Sequence, residues 1–117
     1  MCRRPGAIAC ADLTDRAIGF AREVASRTDN EGEARRATSL LYHVASAVAL
    51  AWEGGRIHEM RGDARRLLLS RMVIDHRVSP SDPFRLTENA AQRAITGHLL
   101  GERAVGMAEV GELLSAA

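Results

Sequence analysis

Four histidines are the residues of this sequence with the most distinctive potential chemistry, because a helical fold can gather imidazoles around a metal ion. They are spread along the chain as His43, His58, His76 and His98. Metal centres in helical bundles use a Glu-x-x-His pattern on paired helices, and no glutamate lies three residues before any of these histidines. We predict no metal site. We expect His43 to pack beside Tyr42, His98 to lie at an interface, and the other two to face solvent near helix ends.

Two further groups of residues have side chains that could act in catalysis. Tyr42, His43 and Ser46 have the spacing that brings side chains together on a helix, but a nucleophilic site also needs an orienting group and oxyanion donors, and neither is indicated. Glu53 follows a long apolar run, where a desolvated carboxylate could act as a general base. The glycines at 54 and 55 favour a solvated glutamate at a helix stop instead. We predict no catalytic residue and leave any cofactor-binding residues unassigned.

The arginine doublets at 35–36 and 65–66 suggest phosphate binding, because guanidinium groups match that geometry. Acidic residues lie beside both doublets: Glu31, Glu33 and Asp63. The whole chain has 16 basic and 15 acidic residues and a net charge of +1, which gives no general attraction to nucleic acid or membranes. We therefore predict ordinary surface ion pairs, and interpret 75–77 (Asp-His-Arg) as a charge cluster at a helix end.

The elements that must position these residues are predicted to be helices. Residues 35–52 are apolar over most of a helical circumference, so we expect this helix to be covered on several sides, at the centre of a bundle. Aromatic residues make up only 3% of the chain, which suits close packing of helices by small aliphatic side chains. We predict one all-α domain, residues 12–117, after a flexible tail at 1–11. Its architecture is an antiparallel helical bundle of four main helices plus a short C-terminal helix.

Start and stop signals place the helix boundaries. The predicted helices end near residues 27, 52, 76 or 77, 100 and 115, with an extension of the second helix to Met60 as an alternative. The predicted start signals of the first four helices are Asp12, Asp29 or Asn30, Gly62-Asp63 and Thr87, and the fifth helix is predicted to begin at Met107. Prolines at 80 and 83 predict a loop between the third and fourth helices, because each forces its preceding residue out of helical geometry.

Cysteine usage and hydropathy indicate the compartment. Cys2 and Cys10 are the two cysteines, and they form neither a disulfide framework nor a zinc-ligand set. We therefore predict a cytoplasmic protein. The longest apolar run, 44–52, is less than half of the ~20 residues that a membrane helix requires, so no membrane span is expected.

The sequence resembles the C-terminal helical domain of the acyl-CoA dehydrogenase flavoprotein family. The resemblance covers roughly residues 34 to 115. Four segments carry it: Thr38–Val48, Ala51–Gly54, Asp63–Leu69 and Asp75–Pro83.

The resemblance implies an all-α bundle that packs, in full-length members, against an N-terminal helical domain and a middle β-domain. Those proteins bind FAD and are oxidoreductases that use a glutamate to remove an α-proton from an acyl thioester. In many members this glutamate lies in a Tyr-Glu-Gly-Thr sequence. Trp52-Glu53-Gly54-Gly55 matches only the central Glu-Gly and lies before the helix where the motif is expected, so no catalytic role is carried onto Glu53.

The resemblance leaves the flavin-covering β-domain and the second helical domain without a counterpart in these 117 residues. We therefore expect a partial dehydrogenase, inactive alone, whose FAD site would need a partner polypeptide carrying the missing domains. The alternative is a stand-alone helical module for homodimerisation or protein interaction, whose long apolar helix pairs with its symmetry mate. A nucleic-acid binder that uses the arginine doublets is a third hypothesis, which the balanced charge disfavours.

Overall fold

The structure is a computed structural model that describes residues 7–79 and 90–116, without the side chains of residues 7–9, 30, 91 and 116. The described residues form helices and no strand, which confirms the all-α prediction. The α-helices are α1 (Ala7–Ser26), α2 (Ala34–Arg61), α3 (Arg65–Val73), α4 (Ala90–Leu100) and α5 (Met107–Ala116). A 3-10 helix, Thr28–Glu33, precedes α2, and a π-helical turn, Ile74–Val78, follows α3. The predicted proline loop and the Thr87 cap lie outside the described residues.

The first helix begins earlier than predicted. It starts at Ala7, so Asp12 lies inside α1 rather than capping it, and residues 7–11 of the predicted tail are helical. These residues are mostly alanine, which has the highest helix propensity. Cys10 is also buried, with its Sγ 4.0 Å from Oγ of Ser70 on α3. Tertiary contact thus extends α1 toward the N-terminus.

The second helix is longer at its C-terminal end than the predicted stop. It continues through Gly54 and Gly55 to Arg61, so the extended alternative is correct and the end at Trp52 is wrong. Gly62 ends it in a left-handed conformation with φ of 71°, and its backbone N–H donates to the carbonyl of His58 at 2.8 Å. The predicted Asp29 or Asn30 cap is also wrong, because the 3-10 helix leads directly into α2.

Gly54 allows α3 to approach α2 closely. It is buried, and a Cβ at this position would lie 2.9 Å from the backbone nitrogen of Leu67. Nearby, the buried hydroxyl of Ser70 donates to the carbonyl of Ala47 at 2.6 Å. The glycine that suggested a helix stop therefore permits the backbones of two packed helices to approach closely.

The main hydrophobic core lies between α3, α4, α5 and the segment before α5. Its buried members are Ala64, Leu67, Leu68, Ile95, Val105 and Val110. Apolar residues of α5, including Leu113 and Leu114, pack against it. The prediction that other helices cover α2 on several sides is confirmed in part. Within the described chain α1, α3 and the π-helical turn pack against α2, but one side of it stays exposed.

Asp63 joins the start of α3 to the segment before α5. Its Oδ1 accepts hydrogen bonds from the backbone N–H groups of Arg65 at 3.1 Å and Val105 at 3.0 Å. Beside it, the N–H of Ala64 donates to the carbonyl of Val105 at 2.7 Å. The hydrogen bond from Val105, with that from Arg65, lowers the pKa of the Asp63 carboxyl below its ordinary value of 3.8. The Gly62-Asp63 start signal is thus confirmed.

Replacing Asp63 by alanine should lower the free energy of unfolding by about 1–2 kcal/mol, because two backbone donors lose their acceptor. Since the folded pKa is lowered, the charged carboxylate stabilises the fold above the unfolded-state pKa. That contribution is lost as the pH falls from 3.8 through the folded value. Urea unfolding at neutral and acid pH measures both effects. Asp29→Ala, at an exposed position, is the control, and equal losses in the two variants would contradict the assignment.

Candidate functional site

An open apolar groove runs between α1 and α2. It has a volume of about 530 Å³ and no charged residue in its lining. Three of its residues come from α1 and six from α2: Thr14, Ala17, Ile18, Leu41, Val44, Ala45, Val48, Ala49 and Trp52. Ala17 and Val44 are buried and form the floor. Exposed residues form the sides, so the groove is accessible to another molecule.

The spacing of residues along α2 explains why this side is apolar. Positions 41, 45, 48 and 52 are separated by four, three and four residues, the pattern of an apolar coiled-coil seam. At about 100° per residue they share one side of the helix with four other uncharged positions. All eight are exposed: Ala34, Thr38, Leu41, Tyr42, Ala45, Val48, Ala49 and Trp52. We call these eight residues, with Thr14 and Ile18 of α1, the α1–α2 face.

Two aromatic side chains of this face are largely uncovered. Tyr42 is 68% exposed and Trp52 is 66% exposed. The guanidinium of Arg56 lies 6.0 Å from the centre of the Trp52 ring and also pairs with Glu59 at 3.6 Å. Charged side chains therefore border the face at its C-terminal end. Contiguous exposed apolar surface bordered by charge is typical of a protein-binding site.

A second, more polar groove of about 260 Å³ lies on the other side of α1, next to the π-helical turn. Arg16 and Arg36 are among its lining residues. Each is close to a carboxylate of its own helical segment, at 3.9 Å from Asp12 and 3.5 Å from Glu33. Arg36 also lies over the ring of Phe20 at 5.5 Å. Both guanidinium groups in this groove therefore have partners within the fold.

Two of the four histidines, His43 and His76, match their predicted roles. His43 is half-buried and contacts Tyr42 edge-to-face, with ring centres 5.2 Å apart. His98 is half-buried on α4 and His76 is exposed in the π-helical turn. His58 is half-buried in the last turn of α2, so its predicted solvent exposure is wrong. Within residues 7–79 and 90–116, no group of three or more metal-ligating side chains comes together.

The candidate catalytic groups make structural contacts. The hydroxyl of Ser46 donates to the backbone carbonyl of Tyr42 at 2.9 Å. Glu53 forms an ion pair with Arg66 on α3. It lies in the interior of α2 rather than at a helix end, which corrects its predicted position. The hydrogen-bonded partner of Glu53 is a surface arginine, as expected for a residue that links two helices.

Most of the arginines singled out in the sequence also have partners. Arg36 and Arg66 have the carboxylate partners described above, and Arg65 donates to the backbone carbonyl of Arg103. In the 75–77 cluster, Asp75 accepts hydrogen bonds from Nε of Arg71, at 3.0 and 3.2 Å to its two oxygens. The prediction of surface ion pairs is thus confirmed for Arg36 and Arg66, whereas Arg65 bonds to a backbone carbonyl instead.

No protein-family model, curated protein or solved structure matches the chain. The resemblance to acyl-CoA dehydrogenases therefore stays a prediction from sequence, together with FAD binding and oxidoreductase activity. No helix among the described ranges combines the length and apolar character needed to cross a membrane. The sequence predicts an apolar α2 but not the α1–α2 face, because the side of α2 that stays exposed depends on how α1 and α3 pack against it.

Proposed function

We propose that this protein is a helical association module that binds another helical surface through the α1–α2 face. The supporting observation is the row of eight exposed, uncharged residues along one side of α2. An elongated apolar groove between two helices suits a helix as its ligand, with side chains spaced three and four residues apart as anchors.

The composition of the face supports tight binding. Large aromatic side chains dominate the binding energy at protein interfaces when they become fully desolvated. Tyr42 and Trp52 are the large exposed aromatic residues of the face. Burying an aliphatic side chain such as Leu41 or Val48 contributes about 1.5–3 kcal/mol when the burial is complete. Partial burial of several such residues provides a substantial driving force for association.

An association function is also compatible with the predicted antiparallel bundle. Four-helix bundles pack their helices with short connections and a shared apolar centre. The α1 and α2 pair has two helices and one exposed apolar side. Docking of two further helices on the α1–α2 face would complete such a bundle between molecules.

The acyl-CoA dehydrogenase resemblance leads to a second hypothesis, in which the same face has a different partner. In that hypothesis, a polypeptide that carries the flavin-binding domains covers the α1–α2 face, and oxidoreductase activity belongs to the complex. Flavin absorbance of a purified complex tests this second hypothesis. The apolar surface supports association in both cases.

Site-specific photo-crosslinking tests the association function. A photoreactive amino acid replaces Val48 in the full chain, which is expressed in the cells that naturally make it. We expect a covalent adduct at this position. Ser39, an exposed residue on another side of α2, serves as the matched control and should give none. Equal yields at the two positions, or no adduct at position 48, would refute the proposal. The mass of the adduct distinguishes a second copy from another protein.

A further inference from the structure

We infer that a second copy of this chain occupies the α1–α2 face, with the two α2 helices antiparallel across a two-fold axis between Ala45 and Val48. This inference rests on the proposed association function and specifies its partner. Three independent properties of the face support a second copy: its lack of charge, the order of its side-chain sizes and its area.

The absence of charge restricts what can bind. A partner that placed a charged group against the centre of this face would leave that charge desolvated and unpaired, which is strongly unfavourable. A suitable partner must therefore present an uncharged apolar strip of similar length. The chain itself presents one over residues 34–52 of α2. Its net charge of +1 also produces little long-range repulsion between copies.

The order of side-chain sizes favours antiparallel packing. Along the central seam the residues are Leu41, Ala45, Val48 and Trp52. Antiparallel pairing sets leucine against tryptophan at both ends and alanine against valine in the middle. Small residues then lie where two crossing helices approach most closely. Parallel pairing would instead stack tryptophan on tryptophan and alanine on alanine, which leaves uneven gaps.

Charges at the C-terminal end of α2 disfavour the parallel orientation. Parallel packing would place Arg56 beside Arg56 of the second copy, and Glu59 beside its own counterpart. Repulsion between like charges affects orientation more than affinity.

The area of the face approaches that of a stable dimer interface. The uncharged strip of α2 is ~27 Å long at 1.5 Å per residue, and two packed helices are roughly 20 Å wide. The projected area is therefore on the order of 500 Å², and accessible surface exceeds projection because side chains stand out from it. Standard stable interfaces bury about 800 Å² per partner.

Spin labels outside the face test both the partner and its orientation in the purified full chain. In a Cys2→Ser, Cys10→Ala background, a single cysteine replaces either Ser39 or Ser46, which lie two helical turns apart on the same side of α2. Antiparallel packing predicts a longer distance between labels at 39 than at 46, because the two copies of residue 39 are offset by ~22 Å along the helix. Labels at 46 lie near the axis.

Three results would overturn the inference. Each can be distinguished from a failure of the proposed association function. Equal label distances at 39 and 46 would contradict antiparallel packing. An absence of any interchain distance, in variants shown to be helical by circular dichroism, would exclude a second copy. An adduct of Val48 with a different protein in the photo-crosslinking experiment would exclude it as the natural occupant while the association function stood. A longer distance at 39 than at 46 supports the proposal.

Discussion

Replacing Gly54 by alanine is expected to lower the free energy of unfolding by about 1–3 kcal/mol, the range for inserting a methyl group into a packed interior. The same change in an unconstrained helix raises stability by about 0.5–1 kcal/mol. The sign reverses here because the added Cβ would lie 2.9 Å from the backbone nitrogen of Leu67. Backbone cannot rotate away as a flexible side chain can, so α3 must move as a unit.

Gly19→Ala is the matched control for this prediction. Gly19 lies in the interior of α1, and nothing lies within 4 Å of a Cβ built there. This variant should be more stable than the wild type by about 0.5–1 kcal/mol. Urea unfolding followed by circular dichroism measures both. A stabilised Gly54→Ala variant would show that α2 and α3 do not approach as closely as described.

Replacing Ala45 by glutamate is expected to raise the dissociation constant of the proposed dimer at least ~100-fold. Ala45 is exposed in the single chain, so the substitution leaves the fold of one copy intact. In the proposed dimer the two carboxylates would lie next to the two-fold axis, desolvated and close to each other. Each buried unpaired charge costs several kcal/mol, and each 1.4 kcal/mol corresponds to a tenfold change in affinity.

Ser39→Glu controls for the added negative charge, because this exposed position lies on α2 outside the face. Its dissociation constant should change little. Trp52 is the single tryptophan of the chain, so its fluorescence reports on the interface. On dilution the emission of the wild type should shift to the red, while Ala45→Glu should show exposed-tryptophan emission at every concentration. Equal affinities for the two variants would contradict docking on this face.

Local sequence patterns predicted the helical class and several of its boundaries because these depend on residues close in the chain. The start of α3 follows from Asp63, a side chain that caps nearby backbone donors. The helix stop predicted at Gly54 is wrong because glycine is typical both of a helix end and of a close approach between helices. Only the position of Leu67, thirteen residues away, decides between them. The early start of α1 likewise depends on the burial of Cys10 against α3.

The candidate site was predictable only in part. The sequence shows that α2 is apolar nearly all round, and this property led to the expectation that other helices cover it. Which side α1 and α3 cover is a tertiary property that no local pattern specifies. The exposed row containing Ala45 and Trp52 therefore became visible only with the packing of α1. The contact of His43 with Tyr42 was predictable because the two residues are adjacent.

The most direct test of self-association through the α1–α2 face is the molar mass of the purified chain by light scattering during size-exclusion chromatography, with flavin absorbance recorded on the same peak. We expect a colourless peak at twice the 12.7 kDa mass of the chain, and a peak at the single-chain mass for Ala45→Glu at equal concentration. A wild-type peak at the single-chain mass at high concentration would contradict self-association through this face. A yellow peak would instead support the flavoprotein hypothesis.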